Sequence, residues 1–117
     1  MATNPEPPMR GEVWLAEMGP TRGHEQGGVR PVLIVSTDGF NLGGAGLVVA
    51  LPITSVEKRI PWHAMVDAPE GGLLARSYIK CEDVRSIAKE RLGRRLGSVT
   101  EGTMEAVEYR LRILMEL

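Results

Sequence analysis

The chain has 117 residues, a formal charge of −1 and 43% apolar side chains, enough for one packed core and too few for a second domain. Its single cysteine, Cys81, excludes an internal disulfide framework, and the longest apolar run, Leu47 to Ile53, is too short for a membrane span or a secretory core and contains Pro52. The expectation is a cytoplasmic protein without membrane contact.

Residues 1–9 are proline-rich and read as a disordered tail ahead of one domain, 10–117. Gly11 to Glu17 is the first β-rich run, followed by a glycine-punctuated loop, Met18 to Gly28, that carries His24 and Glu25. The next run is Val29 to Ser36. Pro31 disfavours the helical region for Arg30, so Arg30 sits extended at the mouth of that strand. A guanidinium fixed there, under a loop, suits a phosphate, although from this segment alone a plain surface arginine in a hairpin is the preferred reading. The loop Thr37 to Gly46 is again glycine-rich and longer than a tight hairpin, a natural place for binding, and it exposes Phe40.

Leu47 to Ile53, Trp62 to Asp67 and Ser77 to Asp83 continue the strand pattern, which points to a small barrel. Alternation along Ser77 to Asp83 places Tyr78, Lys80 and Glu82 on one face and Ile79 and Cys81 on the other, inward one. Lys80 and Glu82 could form an acid–base pair or a solvated surface; Cys81 reads as a small core hydrophobe. Trp14 and Trp62 read as buried, since the chain has only 2 Trp, 2 Tyr and 1 Phe for its core. His63 lies in no motif and receives no role.

Arg91 to Val99 fits a strand or a turn. From Thr100 onward Met104, Val107, Leu111 and Leu114 recur at helical spacing, with Ser98 or Thr100 as N-cap, so an amphipathic helix lies on the barrel. Charge is uneven. Arg85, Lys89, Arg91, Arg94 and Arg95 face only Glu90 in their segment, whereas the final helix carries Glu101, Glu105, Glu108 and Glu116. A local basic face of this kind permits nucleic-acid binding without demonstrating it.

Four blocks in order resemble the MazF/PemK family of toxin ribonucleases: Arg10-Gly11-Glu12-Val13-Trp14-Leu15, the loop from Gly23 through Arg30-Pro31-Val32, Leu51-Pro52-Ile53-Thr54-Ser55, and Lys80-Cys81-Glu82-Asp83-Val84-Arg85-Ser86-Ile87. The resemblance implies a mainly β fold, an SH3-like barrel with a C-terminal helix, and a homodimer neutralised by a cognate antitoxin protein. It also implies cleavage of single-stranded RNA by attack of the 2′-hydroxyl on phosphorus, leaving a 2′,3′-cyclic phosphate and a 5′-hydroxyl. Neither cofactor nor metal is expected, because two isolated histidines form no ligand cluster. The reaction needs a proton acceptor, a leaving-group donor and positive charge at the developing pentacoordinate phosphate.

With that resemblance Arg30 becomes the phosphate clamp, its planar fork matching two phosphate oxygens. Thr54 and Ser55 supply hydroxyls, although Thr-Ser pairs after strands also form ordinary turns. Glu25 takes a catalytic role as base or orienting group, and Glu82, at a family carboxylate position, takes a catalytic role in proton transfer. His24, Ser55, Lys80, Arg85 and Phe40 complete the expected RNA contacts. The chain departs from the family in having Lys80 and Glu82 where relatives often carry Arg and Asp, and Ala88 where they frequently carry Asp. Two further readings stay open: a gyrase-binding toxin of the same fold without catalysis, and an inactive RNA- or protein-binding module.

Overall fold

The computed structural model describes residues 6–19 and 28–117. Seven strands, β1 (Glu12–Glu17), β2 (Val29–Ile34), β3 (Leu47–Thr54), β4 (His63–Val66), β5 (Ser77–Lys80), β6 (Arg85–Ala88) and β7 (Leu92–Ser98), precede a helix at Glu101–Met115. The strands form one antiparallel sheet in the order β4-β5-β3-β2-β1-β7. β3 is 8 residues long, so on the edge away from β2 its first half pairs with β6 and its last residues pair with β5.

Alternation along the strands sorts apolar side chains to two sides. One side gathers Val13, Leu33, Leu51, Ile53, Ala64, Val66 and Ile79, and the C-terminal helix closes over it with Val107, Met104, Leu111 and Leu114. The four helical positions are the ones that the 3.6-residue periodicity selects. The opposite side holds a smaller cluster of Trp14, Ala16, Val32, Ile34, Val48, Ala50 and Ile87. Trp14 is buried and donates its indole N–H to Glu12 Oε1 at 2.9 Å, whereas Trp62 is only half-buried in the turn before β4.

The expected barrel does not close into a ring of hydrogen bonds, since β4 and β7 end the ladder without pairing to each other. Backbone packing fills the gap instead. The 3₁₀ turn Glu70–Gly72, between β4 and β5, rests on β7 so tightly that a Cβ on Gly72 would stand 2.0 Å from the Leu96 carbonyl oxygen. A Cβ on Gly97 would stand 2.8 Å from the Gly71 carbonyl carbon. With that turn seated on Leu96 and Gly97, no further strand has room there.

Three more details differ from the sequence reading. The loop Thr37 to Gly46 contains a short helix, α1 (Asp38–Leu42), capped by Thr37, whose side chain accepts from the Phe40 amide at 3.4 Å. The strand read through Asp83 stops at Lys80, because the Asp83 amide turns back to the Lys80 carbonyl at 3.1 Å; Arg85–Ala88 then starts a separate strand. The ambiguous segment 91–99 is mostly strand β7. Of the tail, residues 1–5 lie outside the described residues; Glu6 Oε1 stands 3.2 Å from Arg95, and the Met9 amide donates to Glu12 Oε1 at 2.8 Å.

The C-terminal helix, α2, is capped twice. Thr100 accepts from the Thr103 amide at 3.1 Å, and Glu70 Oε2 receives the Thr100 amide at 2.9 Å together with the hydroxyls of Thr100 and Thr103. Partial burial opposes ionisation of Glu70, but the Thr100 amide and the two hydroxyls outweigh it and hold its carboxyl below the ordinary value. A depressed folded pKa gives stability that is present above the unfolded value of 4.5 and lost as pH falls through the folded one. Glu70→Gln therefore lowers stability by about 1 kcal/mol at pH 7, after discounting for solvent access. Denaturant titrations below pH 4 should show parent and variant converging.

Candidate active site

The β2–β3 ladder builds the site. Its register pairs Val32 with Pro52, where that ladder ends, and two residues beyond this pair on each strand stand Arg30 and Thr54, on the same face by alternation. The neighbouring ladders extend this row, pairing Ala16 with Arg30, Thr54 with Tyr78 and Tyr78 with Met65. Directly opposed residues in an antiparallel pair hold their Cβ atoms about 5 Å apart. The ladder thus brings two residues distant in sequence to the same end of the sheet. Pro31 is accommodated within β2, opposite Leu15.

Where β2 begins and β3 ends, the sheet opens into a cleft of about 550 Å³ lined by Arg30, Thr54, Ser55 and Ser77, with Leu15 and Leu96 among its apolar walls. Thr54 is buried, 6% exposed, and its Oγ1 accepts the Val56 amide at 3.1 Å, which orients the hydroxyl. Arg30 is exposed at the rim. A fixed hydroxyl beside a guanidinium at the mouth of a partly apolar cleft is an arrangement that binds a phosphodiester and strengthens each polar contact by limiting water.

The other expected site residues stand elsewhere. His24 and Glu25 lie outside the described residues. Phe40 is on α1, 39% exposed, and does not line the cleft. Lys80 and Arg85 share the Arg30–Thr54 face, by the pairings of Lys80 with His63 and of Arg85 with Ala50. Arg85 forks onto both oxygens of Asp83 at 2.9 and 3.0 Å, and Lys80 Nζ is 3.8 Å from the same carboxylate. Glu82, in the turn after β5, accepts no share of the cleft; its Oε2 is 3.0 Å from Nε2 of His63, the histidine to which the sequence assigned nothing. His63 is buried, and its Nδ1 has no partner among the described residues.

The basic run does not form a single face. Lys89 Nζ is used at 2.7 Å by the Asn41 carbonyl, Arg95 by Glu12 at 3.0 Å, Arg85 by Asp83, and Arg91 reaches the Glu17 carbonyl at 3.5 Å. Only Arg94 of that run lines the cleft, a placement the sequence reading missed. Burial pushes the Cys81 thiol up to about 11, so it stays protonated and behaves as a core side chain. Among the described residues no group of three His, Cys, Asp or Glu side chains is placed to hold a metal ion.

Comparison with known proteins gives consistent results. The family model for PemK-like, MazF-like toxins of type II toxin–antitoxin systems matches residues 9–115. The chain is 35% identical over 109 residues to an endoribonuclease EndoA of Bacillus subtilis, covering 92% of this chain and 94% of that one. It is 33% identical over 113 residues to the endoribonuclease MazF9 of Mycobacterium tuberculosis, covering 92% and 96%. Among solved structures it is similar to a MazF of Deinococcus radiodurans, with a TM-score of 0.82, 28% identity and coverage of 97% and 100%. A mycobacterial endoribonuclease in complex with its cognate antitoxin gives a TM-score of 0.79 at 28% identity, covering 94% and 96%.

Proposed function

The chain belongs to the PemK-like, MazF-like toxins of type II toxin–antitoxin systems, and from that membership we propose that it is an endoribonuclease acting at the Arg30–Thr54 cleft. The observation that carries this reading is that Arg30, just beyond the end of the β2–β3 ladder, and Thr54, at the end of β3, both line the cleft. The substrate is single-stranded RNA, whose unstacked backbone can enter such a cleft.

The 2′-hydroxyl oxygen forms a bond to the adjacent phosphorus as the bond from phosphorus to the 5′ oxygen breaks, and that oxygen takes a proton from solvent water, giving a 2′,3′-cyclic phosphate and a 5′-hydroxyl. Arg30 holds two non-bridging oxygens as negative charge develops, and the hydroxyls of Thr54 and Ser55 bind the same group. Glu25, on the loop that runs into β2, takes the 2′-hydroxyl proton, with His24 beside it contacting the RNA. Lys80 and Arg85, on the shared face, and Phe40 guide the flanking strand. Glu82 belongs with this guiding surface, since its carboxylate is engaged by His63 away from the cleft.

The protein works as a cytoplasmic homodimer silenced by a separate antitoxin. The outward side of α2 supports the dimer, because Tyr109 and Ile113, one turn apart, are 62% and 47% exposed. Sedimentation at micromolar concentration reads the assembly directly, and a stable monomer would contradict it. The activity is tested by incubating purified protein with long RNA in EDTA and mapping the ends. Cuts bearing 2′,3′-cyclic phosphate support the reading; inhibition of gyrase supercoiling with intact RNA would overturn it.

A further inference from the structure

Arg94 is the cleft residue that the proposed chemistry leaves unused. β7 presents two consecutive arginines to opposite sides. Arg95 is bound to the carboxylates of Glu12 and Glu6 at 3.0 and 3.2 Å. Arg94 lines the cleft and, among the described residues, makes no hydrogen bond or ion pair. β7 and β2 flank β1, so the strands that carry Arg94 and Arg30 are roughly 10 Å apart, a gap that two long side chains reaching inward can bridge. Between them stand Leu15 and Leu96, apolar groups that offer neither guanidinium a counter-charge.

We propose that Arg94 is a second phosphate anchor, holding the RNA backbone at a linkage neighbouring the scissile one so that the strand crosses the cleft from β2 to β7. The assignment rests on the reading of the chain as an RNA-cleaving enzyme. A guanidinium with no partner among the described residues, beside the apolar Leu15 and Leu96, has the fork that matches a phosphodiester, and it holds position without taking part in proton transfer. Arg94 is therefore a positioning residue, which acts on binding and leaves the chemical step to Arg30 and Thr54.

The test uses the whole protein and an RNA whose mapped cut site carries a 2′-deoxy sugar, so that binding is read without cleavage. Arg94→Ala should weaken binding roughly tenfold and raise KM by a similar factor while kcat stays at the parental value. The slope of log affinity against log salt should flatten by about 0.7, the value for one phosphate contact on a single strand. Arg94→Lys should keep that slope, because charge alone sets it. An unchanged slope and KM in Arg94→Ala overturns the assignment, as does a variant that binds RNA normally but loses affinity for an acidic peptide, which would give Arg94 to a protein partner. A parent that binds RNA without cutting it would refute the ribonuclease reading, and the slope would still decide the place of Arg94. Unaltered thermal unfolding of the variant excludes a structural cause.

Discussion

Replacing Arg30 with lysine should lower single-turnover cleavage of a mapped RNA on the order of 10²–10³-fold, the usual cost of losing one preorganised donor to a developing anion. Lysine keeps the charge and loses the fork. Arg30→Ala should fall at least as far. Both variants should unfold like the parent, since Arg30 is exposed at the start of β2 and contributes nothing to either apolar cluster. A lysine variant at the parental rate would show that position needs only charge, and an alanine variant at the parental rate would remove Arg30 from the site. Thr54 lines the same cleft, so the Arg30 variants combined with Thr54→Ala should be non-additive.

The second large effect is on folding. Gly72→Ala places a Cβ 2.0 Å from a main-chain oxygen and 2.5 Å from the carbonyl carbon of Leu96, at a φ of +73°. Neither neighbour is a flexible side-chain tip, so the turn must leave β7 or β7 must bend. The expected loss is at least about 3 kcal/mol, read as a lower denaturant midpoint. Gly44→Ala is the control, because nothing lies within 4 Å of its added Cβ; its effect should stay within about 0.5 kcal/mol. Since Gly72 and Leu96 both line the cleft, whatever fraction of Gly72→Ala still folds should also bind RNA poorly. Equal midpoints for Gly72→Ala and parent would mean that the turn is not needed to close the sheet.

The parts of this architecture that sequence announces are those written in local periodicity. The five strands read from alternation and the helix after Thr100 are such parts, because a residue's neighbours along the chain decide which side it faces. Arg30 and Thr54 were each visible for the chemistry of their side chains, whereas their juxtaposition depends on a ladder register that no local window contains. α1 is 5 residues and β6 is 4, too short for any period to show. The two β-bulges between β1 and β7 shift the phase of β7, and for that reason Arg94 could not be told from Arg95 by counting. The open seam was hidden for a different cause: Gly71, Gly72 and Gly97 look like ordinary turn and strand glycines until the close backbone approach is seen. Glu82 lies two residues past the end of β5, so the side it takes is not set by that strand's alternation.

The internal use of the basic run has a consequence for how the protein finds its target. Lys89, Arg85 and Arg95 are spent on a carbonyl, a neighbouring carboxylate and a buried carboxylate, so that run leaves few cations to a polyanion, and Arg94 is the one of them that lines the cleft. Loose, sequence-blind adhesion to nucleic acid grows with the number of phosphates neutralised at once, and cations engaged internally lower the number this run can offer. The expected result is a shallow dependence of RNA affinity on salt, with duplex DNA a weak competitor.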